Sequence, residues 1–456
     1  MNSVNPVVTG APDRNLRFWV PALTIPFVTM VGMLLWQGDA GGAFRVLQLV
    51  FGWAAVIQFL LVLTRVFTCG WYELFAYVLH MLATGAAALT VTFRLELYPQ
   101  DLLYDQCALL GLAGQLMIGT MVLTSRPLQT KAQLNPRVLT ACALVVCTAA
   151  LVKFGYYLQY TGFQSGAHLE IYTDGDAVRD NSPAPIRILA AGSPLIALLA
   201  MTQPGLPRWC RVLGIVAVML EFAIGIRSRP LFIILSALSL IQYRVHFTPT
   251  RKLVVGMGAV LAIIAIACIG YFRENNSVGA EEYFWIILES LFGIFEAGVF
   301  GAQIPDTIPI IVGQIWPLLA PTPLGSVDTV AKLLTSTFTP KAYVAGFGYS
   351  SAALTETVML FGPLLSGILY PLIVLGIIRM IRAAVTSAHV WKFLYGACSL
   401  PIAFYIWRAE LWQLVVPAIK ALPFIAILLC ADAYARLGKP RAALRPPPAN
   451  QPEPSA

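Results

Sequence analysis

The chain has 456 residues, 58% hydrophobic and only 11% charged, with a net charge of +8 and a mean hydropathy of +0.75. Soluble chains hold about a quarter charged residues, and so little charge cannot cover a water-exposed surface. That excludes a soluble enzyme, a disordered chain, a coiled coil and a secreted disulfide scaffold. Apolar runs of about 20 residues recur, which predicts an all-α polytopic membrane protein, whereas a β-barrel would show short alternating segments.

Residues 1–17 are polar, and no small-residue cleavage site follows the first apolar run, so that run is expected to remain as an anchor. Window length predicts about twelve spans. They are 18–36, 43–64, 71–92, 104–124, 138–159, 186–201, 212–226, 231–243, 253–272, 351–380, 390–407 and 411–431. Together they form a single integral membrane domain over 1–456. With the N-terminus in the cytoplasm, inward loops collect Arg14, Arg17, Arg65, Arg126, Lys131, Arg137, Arg208, Arg211, Arg244, Arg251, Lys252, Arg379 and Arg382. Outward loops collect acids such as Asp39, Glu96, Asp101, Glu170, Asp174, Glu281 and Glu282. This asymmetry follows the positive-inside rule and places both termini in the cytoplasm. The net positive charge then reads as anchoring to anionic membrane lipids, and no basic stripe interleaved with aromatics suggests nucleic acid.

Two outward loops are long, 160–187 and 273–350, and the second exceeds what a connection needs. Within it, 281–303 has apolar residues at helical spacing, with Glu282, Glu289 and Glu296 on one face. That pattern predicts a helix at the outer interface or dipping into the protein. Prolines 305, 309, 317, 321 and 323 break the remainder of the loop into short pieces. The tail 438–456, with its Pro-Pro-Pro run, is expected to be disordered in the cytoplasm.

The charges that break the pattern carry the chemistry. Arg227 and Arg229, in Gly225-Ile-Arg-Ser-Arg-Pro230, fall in a tight outward turn where basic residues are disfavoured. Two guanidinium forks beside a helix N-terminus suit a diphosphate, the alternative being outer headgroups or loop acids. Arg408, with Glu410 between Trp407 and Trp412, and Arg273 are further candidates for phosphate, against an interfacial belt or a salt bridge. Glu356 follows Gly346-Phe-Gly-Tyr-Ser-Ser; with Ser350 or Ser351 as cap, it would lie about 8 Å down the tenth helix. A carboxylate that deep suits general-base chemistry, or a pair with an arginine such as Arg229 or Arg408. Glu221 and Lys420 read as a buried pair or a proton pathway.

Other signals are weak. Asp174-Gly-Asp176 has a metal-binding DxD form in an exposed loop, and His168 is the sole outward histidine. His80, His246 and His389 read as structural. The eight cysteines form no CxxC pair or His/Cys cluster, so neither a metal nor a cofactor is expected. Walker, GxSxG, HExxH and Rossmann patterns do not occur.

The architecture resembles the Wzy-type polysaccharide polymerases of bacteria, which extend O-antigen, capsule and exopolysaccharide. Gly225-Ile-Arg-Ser-Arg-Pro230 is similar to that family's arginine-bearing outward segment. Gly346-Phe-Gly-Tyr-Ser-Ser with Glu356 is similar to its Gly-rich segment and downstream acid. The large outward loop is similar in O-antigen ligases, but those lean on a loop histidine and none occurs between Arg273 and Ser350. The resemblance implies a bacterial inner-membrane glycosyltransferase acting on undecaprenyl-diphosphate-linked oligosaccharide, with a chain-length regulator and a flippase as candidate partners. Arg227, Arg229, Arg408 and Arg273 would hold diphosphate, and Glu356 would be the general base. Tyr349, Ser350 and Tyr343 would contact glycan. A flippase or other transporter is the rival from a different class.

Overall fold

The computed structural model describes residues 13–37, 41–95, 101–125, 130, 132–161, 182–223, 228–244, 248, 250–252, 254, 255, 257, 258, 293–304, 330–340, 352–405, 407 and 412–437. Among these every regular element is helical. The helices are α1 (Asp13–Gln37), α2 (Gly41–Arg65), α3 (Trp71–Thr92), α4 (Leu102–Thr124), α5 (Pro136–Thr161), α6 (Ala184–Ala191) and α7 (Ser193–Thr202). Then come α8 (Arg208–Ala223), α9 (Ser228–Gln242), α10 (293–301), α11 (Val330–Phe338), α12 (Ala353–Val385), α13 (Val390–Tyr405) and α14 (Trp412–Leu437).

Six of them, α1 to α5 and α12, are long and apolar enough to cross a membrane. The pair α6–α7 makes a seventh if it crosses as one, bent by 45° where Pro194 removes the N–H that would continue the helix. Helices also occupy the expected segments 212–226, 231–243, 390–407 and 411–431 over most of their length. The expected span 253–272 lies almost wholly outside the described residues.

The polarity of α2 is that of a protein dissolved in hydrocarbon. Phe44, Gln48, Phe51, Ala55, Gln58 and Val62 face inward at alternating steps of three and four, and two of the six are glutamines. Val46, Val50, Trp53, Ile57 and Leu60 face outward and are exposed. Burying amides while exposing large apolar side chains would be costly in water and is natural in lipid.

At the centre stands α4, whose most apolar stretch is 83% buried. It packs against α1, α2, α3 and α12, while α5, α7 and α8 form a second group, with α14 against α5. Helices α9 and α13 touch both groups. Close approach to α4 depends on small residues. A side chain at Gly111 would strike Thr84 and Ala88 of α3, and one at Gly119 would strike Gln58 of α2.

The bundle has two distinguishable ends. At the Arg65 end, Gln242 accepts a hydrogen bond from the Trp71 N–H and donates to the Cys69 carbonyl. Here also Arg244 donates to Gln203, Thr130 N–H bonds Tyr243 O, Asn135 N–H bonds Asp432, and Lys252 Nζ donates to Phe67 O. Arg379 lies over the Trp19 ring, so α1 starts and α14 finishes at this same end. At the opposite, Asp101 end, the Asp101 carboxylate caps α4 by accepting from Leu103 N–H.

The tenth expected span is not one continuous helix. Gly362 has φ 67° and ψ 168°, a conformation open essentially to glycine alone, and Pro363 follows it. The chain therefore divides into a half-helix, 353–361, and a longer helix, 363–385. Ser366 Oγ donates to the carbonyls of Thr357 and Gly362, recovering acceptors that the break releases.

Gly362→Ala should lower stability by about 1–3 kcal/mol through backbone strain alone, since no atom lies within 4 Å of the added Cβ. Gly155→Ala, in a helical and open position, should be neutral or slightly stabilising. Thermal unfolding of the two variants in detergent checks both.

Candidate functional site

Glu356 lies in the first turn of α12 and is fully buried. The helix begins at Ala353 with Ala352 as its cap residue, so the carboxylate sits within one turn of the helix start rather than about 8 Å down. The positive end of the helix dipole favours a negative charge there, although the Glu356 N–H itself bonds the Ala352 carbonyl. The half-helix packs against α10: a side chain at Gly298 would meet Leu354, and one at Gly301 would meet Met359 and Thr355. Helix α11 closes the group, with Phe338 stacked on Phe300 at 4.5 Å and Leu334 packed with Ala297 and Met359.

The same end holds two arginines. Asp105 of α4 accepts from Arg94 Nη2 at 2.7 Å, and Arg45 Nη1 of α2 lies 3.6 Å from its other oxygen. Gln48 donates to that oxygen at 3.0 Å, while Arg45 also donates to Gln48 Oε1 and to the Thr92 carbonyl at the end of α3. Arg94 itself takes a left-handed φ of 56°, a strain its ion pair helps to hold. Two guanidiniums against one carboxylate leave one net positive charge, and both arginine side chains remain partly exposed, at 25% and 31%. Tyr104, beside Asp105, lies 6.3 Å ring to ring from Phe295 of α10, which joins this cationic rim to the Glu356 group.

A third group lies deeper. His80 of α3 faces Gln115 Oε1 of α4 through Nδ1 at 2.6 Å and Tyr370 Oη of α12 through Nε2 at 2.9 Å. The Trp407 ring stands edge-on to it at 4.9 Å. Gly114 leaves room for this meeting, since a Cβ there would fall 2.7 Å from Tyr370 and 2.9 Å from His80. Immediately after His80, residues Met81–Gly85 form a π-turn, in which Ala86 N–H bonds Met81 O five residues back. Such turns are frequent at functional sites. Two turns toward the Arg65 end, the fully buried Glu73 pairs with Arg382 of α12 at 2.8 Å. Outside the spans, burial and the nearby Glu73 charge push the Cys69 thiol up to about 11, which keeps it protonated and inert.

Of the residues the sequence singled out, the structure describes Glu356 fully. Arg229 lies in the first turn of α9, which begins at Ser228, and Glu221 lies in α8; for both only the backbone is described. Lys420 is exposed on α14. Arg227, Arg273, Arg408, Tyr343, Tyr349, Ser350, Asp174, Asp176 and His168 lie outside the described residues, as does most of the segment 281–303. Among the described residues no three His, Cys, Asp or Glu side chains are grouped to hold a metal. Sequence reasoning missed Arg45, Arg94 and Asp105, all inside or next to predicted spans. It read Arg382 as a loop anchor and His80 as structural. The available signal was that Glu73 and Arg382 fall at the same predicted depth.

No protein-family model matches the chain, and neither does any curated protein or solved structure.

Removing one partner of a buried pair leaves an uncompensated charge, so Arg382→Ala should cost about 3–5 kcal/mol. Adding Glu73→Gln to Arg382→Ala should restore much of the loss, and a double-mutant cycle on thermal unfolding measures the coupling.

Proposed function

We propose that this chain is an inner-membrane glycan polymerase of the Wzy type, with about twelve spans, an outward reaction site and both termini in the cytoplasm. It would join undecaprenyl-diphosphate-linked oligosaccharide repeat units on the outer face of a bacterial inner membrane. The observation that carries the reading is the fully buried Glu356 at the foot of a broken helix. Irregular backbone at membrane depth is tolerated where it is buried in protein or lines a wet cavity, and an acid there is a functional residue by default. Support also comes from the cationic rim of Arg45 and Arg94 at the same end of the bundle.

In this mechanism Glu356 takes the proton from the acceptor sugar hydroxyl. The oxygen attacks the donor's reducing-end carbon, the bond from that carbon to the diphosphate breaks, and undecaprenyl diphosphate departs with the electron pair. Arginines that meet the leaving charge stabilise the transition state. Arg227 and Arg229 are assigned to one diphosphate and Arg408 or Arg273 to the other, with Tyr349, Ser350 and Tyr343 on the glycan. An O-antigen ligase is the near alternative in the same chemical class. A flippase or transporter is the second reading, favoured by the buried polar residues that α3 carries from one end to the middle of the bundle.

A gel of lipid-linked glycans from cells with and without the gene tests the class. Loss of the ladder to single outward-facing repeat units supports polymerase. Long polymer left on the carrier indicates ligase, and single units trapped inside indicate flippase. Arg227→Ala and Arg229→Ala should each abolish the ladder at normal protein level; full-length polymer in both would remove the clamp. Glu356→Gln should cut turnover by about 100-fold or more while lipid-linked units still bind.

A further inference from the structure

One face of α3 is polar where a membrane helix would ordinarily be apolar. Glu73, Tyr77, His80 and Thr84 recur at steps of four, three and four, so they share a face, and each is at most 1% exposed. The column rises about 10 Å from Glu73 to His80. Beyond Thr84 the same face continues as Ala87, Ala88 and Val91, all buried. On the Arg65 side the column ends at Glu73, whose partner Arg382 is partly exposed, and on the other side it is closed by apolar packing.

Polar atoms along the column are enclosed with nothing to bond. They include the hydroxyls of Tyr72 and Tyr243 and Trp407 Nε1, while the Tyr77 hydroxyl and the Gln115 amide meet each other between them. The Glu73 carboxylate is held by Arg382 and by its own backbone N–H. A file of such groups over this distance is what internal water bridges.

The surroundings of His80 accommodate either charge state. With the proton on Nδ1 alone, Nδ1–H donates to Gln115 Oε1 and Nε2 accepts from the Tyr370 hydroxyl. With both nitrogens protonated, Nε2–H donates to Tyr370 Oη, and the Tyr370 hydroxyl turns its hydrogen to Thr84, which it also faces. The change needs one hydroxyl rotation and no movement of a helix.

We propose that His80 is a buried proton-binding site, loaded from the Arg65 end through Glu73 and water held by Tyr77, Gln115 and Trp407. A proton entering from the Arg65 end is taken up by the Glu73 carboxylate and passed on, and Glu73 returns to its ion pair with Arg382. The imidazole gains one proton at Nε2, and no other group changes charge. Of the elements packed against the column, α12 supplies Arg382 and Tyr370, while α9 and the residue after it supply Gln242 and Tyr243. Helix α4 supplies Gln115, Trp407 comes from two residues beyond α13, and Cys69 and Tyr72 flank Glu73 on its own segment. This site lies apart from Glu356, and its success or failure leaves the polymerase reading where it stands.

The test is nitrogen-15 NMR of histidine-labelled full-length protein in lipid nanodiscs, titrated from about pH 8 to pH 4 across the ordinary histidine range. Four histidines are present. The His80 signal is assigned by its loss in His80→Gln, or, should that variant not fold, from protein in which the other three histidines are glutamine. The expected result is passage of both His80 nitrogens to the doubly protonated state, with Tyr370→Phe shifting the midpoint. Glu73→Gln should slow proton exchange at His80 by about tenfold or more. A single neutral tautomer throughout would overturn the site. Exchange unchanged by both Glu73→Gln and Tyr77→Phe would overturn the route.

Discussion

A polar group inside hydrocarbon has no water to bond with, so its partner has to come from the protein. That requirement decides which faces of these helices meet. Asp105 draws Arg45, Gln48 and Arg94 to the head of α4. Gln115 draws His80 to its middle, and Gln58 donates to the Leu116 carbonyl lower down. Dispersion and small residues close the gaps between these points, but the points themselves fix the register of α2, α3 and α12 on α4.

The helices were legible in the sequence because length and hydropathy alone set them. The expected 71–92 matches α3, and 104–124 begins two residues into α4. The pairing of charges was not legible, because loop sidedness gives depth and says nothing of azimuth. Arg382 looked like one more inward anchor beside Arg379, yet it reaches back to Glu73 of α3. Arg45 and Arg94 carry no such signal, because length marks a span and charge marks a loop, and both residues lie at the boundary between the two.

The break at Gly362 was present as a Gly-Pro pair, but the surrounding hydropathy is continuous and a window averages across two residues. Its effect on Glu356 is local. An uninterrupted span would have carried the acid as one turn among many; the break makes it part of a separate nine-residue unit packed on α10 and α11. His80 shows the converse limit. A lone histidine on an apolar segment has no sequence pattern to distinguish it, and only its contacts with Tyr370 and Gln115, remote in the chain, do so.

The Arg65 end of the bundle is fastened by bonds that cross from helices to distant connections. At the Arg65 end, side chains of one helix are bonded to the backbone of connections between others, as Gln242 is to Trp71 and Cys69, and Asp432 to Asn135. Each such bond ties a loop to a helix that is not its neighbour in sequence. Among the described residues the Asp101 end is joined by the Arg45–Asp105–Arg94 ion pairs, by ring contacts and by the bond of Arg45 to the Thr92 carbonyl. Helices α9 and α14 thus serve as posts to which connections from elsewhere in the chain are fastened, so the Arg65 end is assembled across the sequence rather than along it.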